Sequence, residues 1–218
     1  MVFDELVRVN YLAHAYLSFG HPEVLTGNMI SDFVKGKQRF SFIAGIQAGI
    51  TLHRSIDAFT DAHAATKEAC MVFRPQYRLY AAAFVDVVYD HFLATDVNHF
   101  PADTLGTFTA ETYEQLRTFE PFFPVRFANM FPYMQEQNWL LHYRERWGIE
   151  RSFGGLVRRS SYLTESAVAY HLFEQHYHLL QQCYNALFPD VYRHASVLFD
   201  SLCKTLPGAD VTDVTQNV

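Results

Sequence analysis

GIQAGITLHRSIDAFTDAH, residues 45–63, begins as an ordinary amphipathic helix and turns polar on the face that ought to stay apolar. Ile46, Ile50, His53 and Asp57 follow one another at steps of four, three and four, so they share one helical stripe. The aliphatic part of that stripe faces a core and carries His53 and Asp57 inward, with Asp61 one further turn along. A histidine and a carboxylate one turn apart can ligand a single cation. They can equally form a buried hydrogen bond that only holds the helix in place, and this helix by itself does not choose.

Working outward, residues 77–95, YRLYAAAFVDVVYDHFLAT, are apolar nearly all round, as a helix in the middle of a bundle is. Asp86 and Asp90 sit in it one turn apart, with His91 beside the second. Carboxylates buried there without partners would each cost on the order of several kcal/mol and would repel each other. A cation between them relieves both problems; arginines from facing helices are the alternative. Upstream, residues 10–19 (NYLAHAYLSF) read as a short helix with His14 in its middle, stopped by Gly20 and Pro22. A lone histidine among apolar neighbours is more often a satisfied core group than a ligand. In residues 23–35 (EVLTGNMISDFVK), Asn28 and Asp32 share a face at i, i+4, and the basic Lys35, Lys37 and Arg39 follow.

Ser41 is the expected N-cap of the central helix, which should run to about Asp61. A turn at 60–64 should lead to a short helix ending at Arg74-Pro75. Further helices are expected at 102–119, in two pieces within 125–147 where Pro132 intervenes, at 162–187 up to Phe188-Pro189, and at 190–206. Residues 150–160 are ambiguous because Gly154 and Gly155 weaken a helix. With no alternating strands, repeat or Pro/Gly/Ser linker, the fold class is all-α, a single irregular helical bundle over residues 10–206. Residues 1–9, weakly periodic, are expected to be a frayed lead-in and 207–218 a flexible tail. The strand, glycine-rich loop and helix of a nucleotide-binding α/β fold are missing.

The length of 218 residues suits one domain with a substantial core, and a 50% hydrophobic, 18% charged composition excludes a disordered chain. A net charge of −6 without any basic run argues against nucleic-acid binding. No apolar run reaches about 18 residues, so no membrane span is expected. Cys70, Cys183 and Cys203 are odd in number and form no CxxC pair, which indicates neither a disulfide framework nor a zinc ribbon. A reducing cytoplasm is the expected compartment. Oligomeric state is left open.

His14, Asp32, His53, Asp57, Asp86, Asp90 and His91 fall on four separate expected helices, and a bundle can gather such groups around an ion. Mixed His and Asp donors suit Mn²⁺, Fe²⁺, Zn²⁺ or Mg²⁺, with carboxylate-rich sites leaning towards Mn²⁺ or Mg²⁺. The usual chemistry of such a centre is hydrolysis, the ion acting as Lewis acid and activator of water.

Four blocks, NYLAHAYLS from Asn10, GNMISDFVKG from Gly27, HRSIDAFTDAH from His53 and DVVYDHFLA from Asp86, resemble the acyl carrier protein phosphodiesterase family in order and spacing. A weaker likeness continues around residues 138–146. The resemblance implies an all-helical fold distantly similar to the HD-type metal-dependent phosphohydrolases. It also implies hydrolysis of the phosphodiester joining 4′-phosphopantetheine to a serine of holo acyl carrier protein, with Mn²⁺ favoured and Mg²⁺ or Fe²⁺ as alternatives. Metal ligands would be drawn from His14, Asp32, His53, Asp57, Asp86 and Asp90. Arg54 and Lys35 are the cations expected beside the phosphoryl oxygens, and His91, or an Asp, the general acid for the leaving serine oxygen. Alanine at Asp57 or Asp90 is expected to abolish hydrolysis and leave the helical fold largely intact. An acidic carrier protein would dock on a basic rim of Lys35, Lys37 and Arg39 with Arg74 and Arg78. Family members typically start next to the Asn10 block, so residues 1–9 are expected to be dispensable. Two rival readings are an HD-like phosphohydrolase acting on a nucleotide or other phosphodiester, and a non-enzymatic helical binding module with structural His–Asp pairs.

Overall fold

Eleven α-helices and no strand make up residues 10–206, the part of the chain that the computed structural model describes. The segments expected to be leader and tail, 1–9 and 207–218, lie outside the described residues. The all-α expectation holds. The candidate ligands sit in the first five helices: α1 (Tyr11–Tyr16), α2 (Pro22–Ile30), α3 (Ala44–Ala62), α4 (Ala64–Tyr77) and α5 (Ala81–Thr95). The second half contributes α6 (Thr104–Arg117), α7 (Val125–Glu136), α8 (Trp139–His142), α9 (Arg146–Arg159), α10 (Ala167–Gln175) and α11 (Tyr177–Cys203).

Helix α5 is the axis of the bundle, as its composition predicts. Of its fifteen residues all but Ala82 and Thr95 are buried, and α1, α4, α9 and α11 pack around it. Leu79 is not part of it. Arg78 adopts φ 47° and turns the chain before α5 begins, which leaves Leu79 83% exposed.

The closest pairing is between α2 and α3, and glycine makes it possible. A Cβ at Gly27 would stand 2.0 Å from the Ile46 carbonyl oxygen, and one at Gly49 would stand 2.1 Å from that of Val24. The two backbones therefore touch, which brings Asn28 and the following 3₁₀ turn (Ser31–Phe33) against α3. Gly49→Ala must push the helices apart, and thermal unfolding should show a loss of about 2–3 kcal/mol. A variant as stable as wild type would contradict this backbone contact.

Several expected boundaries are corrected. Ser41 does not cap α3: it ends a 3₁₀ segment (Gly36–Ser41) and its hydroxyl donates back to the Gln38 carbonyl at 2.8 Å. Ile43, in extended conformation, precedes α3 instead. Pro132 does not split the 125–147 region; α7 runs through it, and the break falls at Asn138, whose left-handed backbone (φ 43°, ψ 57°) separates α7 from α8. Helix α9 continues through Gly154 and Gly155. The expected aromatic helix at 162–187 starts only at Ala167 and breaks at His176, while Pro189 lies inside α11. An interior proline costs roughly 3 kcal/mol in isolation. Packing of α11 along α3, α4 and α5 outweighs that local preference.

Candidate metal centre

Three helices and one 3₁₀ turn converge on a single polar cluster inside the first half of the bundle. His14 comes from α1, Asn28 from α2, Asp32 from the turn after it, and His53 and Asp57 from α3. The His14 and His53 rings stack with centroids 3.9 Å apart and planes 19° from parallel. Asp57 spans both: its Oδ1 lies 3.2 Å from His14 Nε2 and its Oδ2 3.4 Å from His53 Nε2. Asp32 Oδ1 lies 3.1 Å from His53 Nε2. One donor atom each from His14, His53 and Asp57 fit within 4.8 Å of one another.

The electrostatics follow from burial and from this crowding. Burial lowers the His14 pKa, and the neighbouring His53 lowers it further. Burial also pulls His53 down, but its contacts with Asp32 and Asp57 overcome that and raise it to about 10. Burial pushes Asp57 up, yet the charged His53 ring beside it holds its carboxyl well below the usual carboxylate range. In the metal-free protein the cluster is thus an imidazolium between two carboxylates, with a second, neutral imidazole beside it.

The neutral ring has a defined tautomer. The Asn28 side-chain amide donates to the His14 carbonyl oxygen at 2.9 Å and to Ser18 Oγ at 3.0 Å. Its oxygen must therefore face His14 Nδ1, 2.7 Å away, and that nitrogen carries the proton. Nε2 is left as a lone pair, buried, 3.2 Å from Asp57 Oδ1 and without a hydrogen-bond partner among the described residues. A lone pair this close to a carboxylate is unfavourable in the absence of a cation beside them. The arrangement fits a divalent ion: a neutral His14 Nε2 donor, a nearby carboxylate, and an amide that orients the ligand ring through its other nitrogen.

The protonation states give a pH expectation. The folded pKa of His53, about 10, exceeds its ordinary 6.5, so its pairing stabilises the metal-free fold fully below about pH 6.5 and is lost as pH rises through 10. Asp57, depressed, contributes above its ordinary range and loses that contribution as pH falls. A metal needs the His53 imidazole neutral, so binding must expel a proton. Mn²⁺ affinity is expected to rise about tenfold per pH unit between pH 7 and 9. Calorimetry in buffers of different ionisation enthalpy checks this, and release of no proton would refute it.

The other sequence-predicted residues are placed elsewhere. Asp86 and Asp90 lie outside the group formed by His14, His53 and Asp57. Both Asp90 oxygens accept backbone N–H groups from the first turn of α1, Leu12 at 3.0 Å and Ala13 at 2.8 Å. Burial, and then the nearby Asp86, keep the Asp90 carboxyl well above its ordinary range despite those two bonds. His91 bonds the Tyr143 carbonyl oxygen at 2.7 Å and the Tyr177 hydroxyl at 3.0 Å, so both ring nitrogens are engaged within the core. Arg54 is exposed and donates to the Val34 carbonyl at 3.0 Å, which ties its guanidinium to the backbone just before the exposed Lys35. Asn28 was quoted in the sequence as the i, i+4 partner of Asp32 without a role; the spacing that puts it on the Asp32 face was the available signal.

The fold and the site together define an all-helical protein with a buried His–Asp cluster suited to a divalent cation. More particularly, the chain belongs to the acyl carrier protein phosphodiesterase family, whose description, "Acyl carrier protein phosphodiesterase", matches residues 9–191. It is 34% identical over 188 residues to an acyl carrier protein phosphodiesterase of Yersinia enterocolitica, covering 86% of this chain and 97% of that protein. Similar relatives of the same name occur in Yersinia pestis (32% identity, 86% and 97%) and Escherichia coli (33% over 189 residues, 86% and 98%). No solved structure matches the chain. Among the described residues no helix is long and apolar enough to cross a membrane.

Proposed function

We propose that this chain hydrolyses the phosphodiester linking 4′-phosphopantetheine to holo acyl carrier protein, giving apo carrier protein, with a divalent cation held by His14, His53 and Asp57. Membership of the family supplies the reaction class. The observation that carries the cation is the buried His14 Nε2 lone pair, its ring proton fixed on Nδ1 by Asn28, 3.2 Å from Asp57 Oδ1. When bound, the cation supplies Lewis acidity towards the phosphoryl group and the activation of water. Mn²⁺ is the ion we assign first, because imidazole and carboxylate donors are mixed.

The chain's own residues set the rest. Asn28 keeps the His14 ring in one orientation. Asp32, 23% exposed against 5% for the His53 side chain it touches, opens to the rim and is placed to take a proton at its carboxylate. Arg54, tied to the Val34 carbonyl, and the adjacent Lys35 supply positive charge for the phosphoryl oxygens. His91 is not the general acid in this reading, since neither ring nitrogen is available. The exposed Lys35 and Lys37 and the half-buried Arg39 form the rim on which an acidic carrier protein docks. We assign the protein to the reducing cytoplasm, where Cys70, Cys183 and Cys203 stay as thiols.

Intact-mass measurement of holo carrier protein incubated with the full chain tests the reading. With Mn²⁺ the phosphopantetheine mass should disappear, and with chelator it should remain. No metal-dependent loss would overturn the proposal, and hydrolysis of small phosphodiesters or nucleotides in its place would move the chain to a different substrate class.

A further inference from the structure

Away from the metal cluster, α8 and α9 enclose a cavity of about 100 Å³ whose lining is basic and aromatic. In a chain of net charge −6, residues 137–160 carry five arginines and two glutamates. Arg144 pairs with Glu145 and Arg146 with Glu174. Arg151 donates to the Gln137 side-chain oxygen at 3.3 Å. Arg158 and Arg159 have no carboxylate partner among the described residues, and both line the cavity.

Their direction matters, because arginines in the last turn of a helix ordinarily serve its terminal carbonyls. These two instead run back along the helix. Arg158 Nη1 stands 3.4 Å from where a Cβ of Gly154 would be, and the Arg159 and Arg158 guanidinium nitrogens stand 3.6–3.8 Å from that of Gly155. Both guanidinium groups therefore lie side by side over the Gly154–Gly155 face of the helix. Two exposed cations converging without an anion repel each other, and an anion between them removes that repulsion.

We infer that this cavity is an anion site, separate from the metal centre, that takes one phosphate-type tetrahedral dianion between Arg158 and Arg159. Two planar guanidinium forks match the charge and the several oxygens of such a group. A cavity of about 100 Å³ has room for one such group. The dianion has two possible sources, free inorganic phosphate or the phosphomonoester end that the proposed reaction would release; the site itself does not depend on that reaction.

Both tryptophans of the chain, Trp139 and Trp147, line this cavity, so intrinsic fluorescence reports on it directly. The full chain, with and without Mn²⁺, is titrated with inorganic phosphate and separately with 4′-phosphopantetheine, using chloride at equal ionic strength as control. A saturable fluorescence change with phosphate is expected in both metal states, weakened at least tenfold in R158Q/R159Q and unchanged in D57N. Equal affinity for the two ligands identifies free phosphate as the source, and tighter binding of the phosphomonoester identifies the reaction product. The arginines are exposed, so the double variant should fold, as circular dichroism and unaltered Mn²⁺ binding will verify. No saturable response beyond the chloride control, a double variant that binds like wild type, or loss of the response in D57N would each overturn the inference.

Discussion

Alanine at position 57 is expected to lower kcat for release of the phosphopantetheine group by about three orders of magnitude, since each 1.36 kcal/mol of lost transition-state stabilisation is tenfold and a bound metal supplies several kcal/mol. Among the described residues Asp57 is the carboxylate that reaches both histidines, so its removal takes away the group that would hold a cation against their Nε2 atoms. The fold should survive. Its side chain is 18% exposed, and His53 retains Asp32 as partner at 3.1 Å. The result to look for is a folded, helical protein of lowered melting temperature, together with lost metal binding and lost turnover in the intact-mass assay. Turnover within tenfold of wild type would remove Asp57 from the centre.

The second large effect falls on stability. Asp90→Ala strands two buried backbone N–H groups, those of Leu12 and Ala13. Each unsatisfied donor costs about 1–3 kcal/mol, so a loss of about 3–5 kcal/mol is expected in urea unfolding. The sequence alone leads to the same expectation for Asp57 and Asp90, and these contacts lead to different ones: D57A should be folded and inactive, whereas D90A should be unstable first and inactive as a consequence. If D90A unfolded at the wild-type midpoint, the role given to its carboxylate would be wrong.

What could be read in the sequence divides along physical lines. The stripe Ile46, Ile50, His53, Asp57 was legible because helical period places those side chains on one face, and the structure buries Ile46, Ile50 and His53 there, with Asp57 half-buried beside them. The central position of α5 was legible because an all-apolar helix has nowhere else to go. The destination of Asp90 was not. A buried carboxylate advertises that it needs a partner, but backbone N–H groups 77 and 78 residues away leave no mark in composition or spacing. Asp86 and Asp90 thus looked like a second pair of ligands, when at least one of them answers to a helix end. Asn28 was overlooked for a related reason: an amide that sets a tautomer resembles any polar side chain until its two donors are located. Helix ends were misjudged at Pro132 and Pro189, where packing outweighed a residue that normally breaks helices.

The hold of Asp90 on α1 also bears on the order in which the chain can assemble. Helix α1 has six residues, too few to persist on its own in water. Every residue of the metal cluster has left the ribosome once Asp57 has, yet α1, held by then only through Asn28 of α2, lacks its second anchor until α5 has followed and offered its carboxylate. The Asp32–His53–Asp57 part, clamped by the α2–α3 glycine contact, can form early and locally, and the N-terminal imidazole arrives as the closing piece. Metal capture during synthesis would then mark completion of the first half of the domain, with the segment made first being the last to settle.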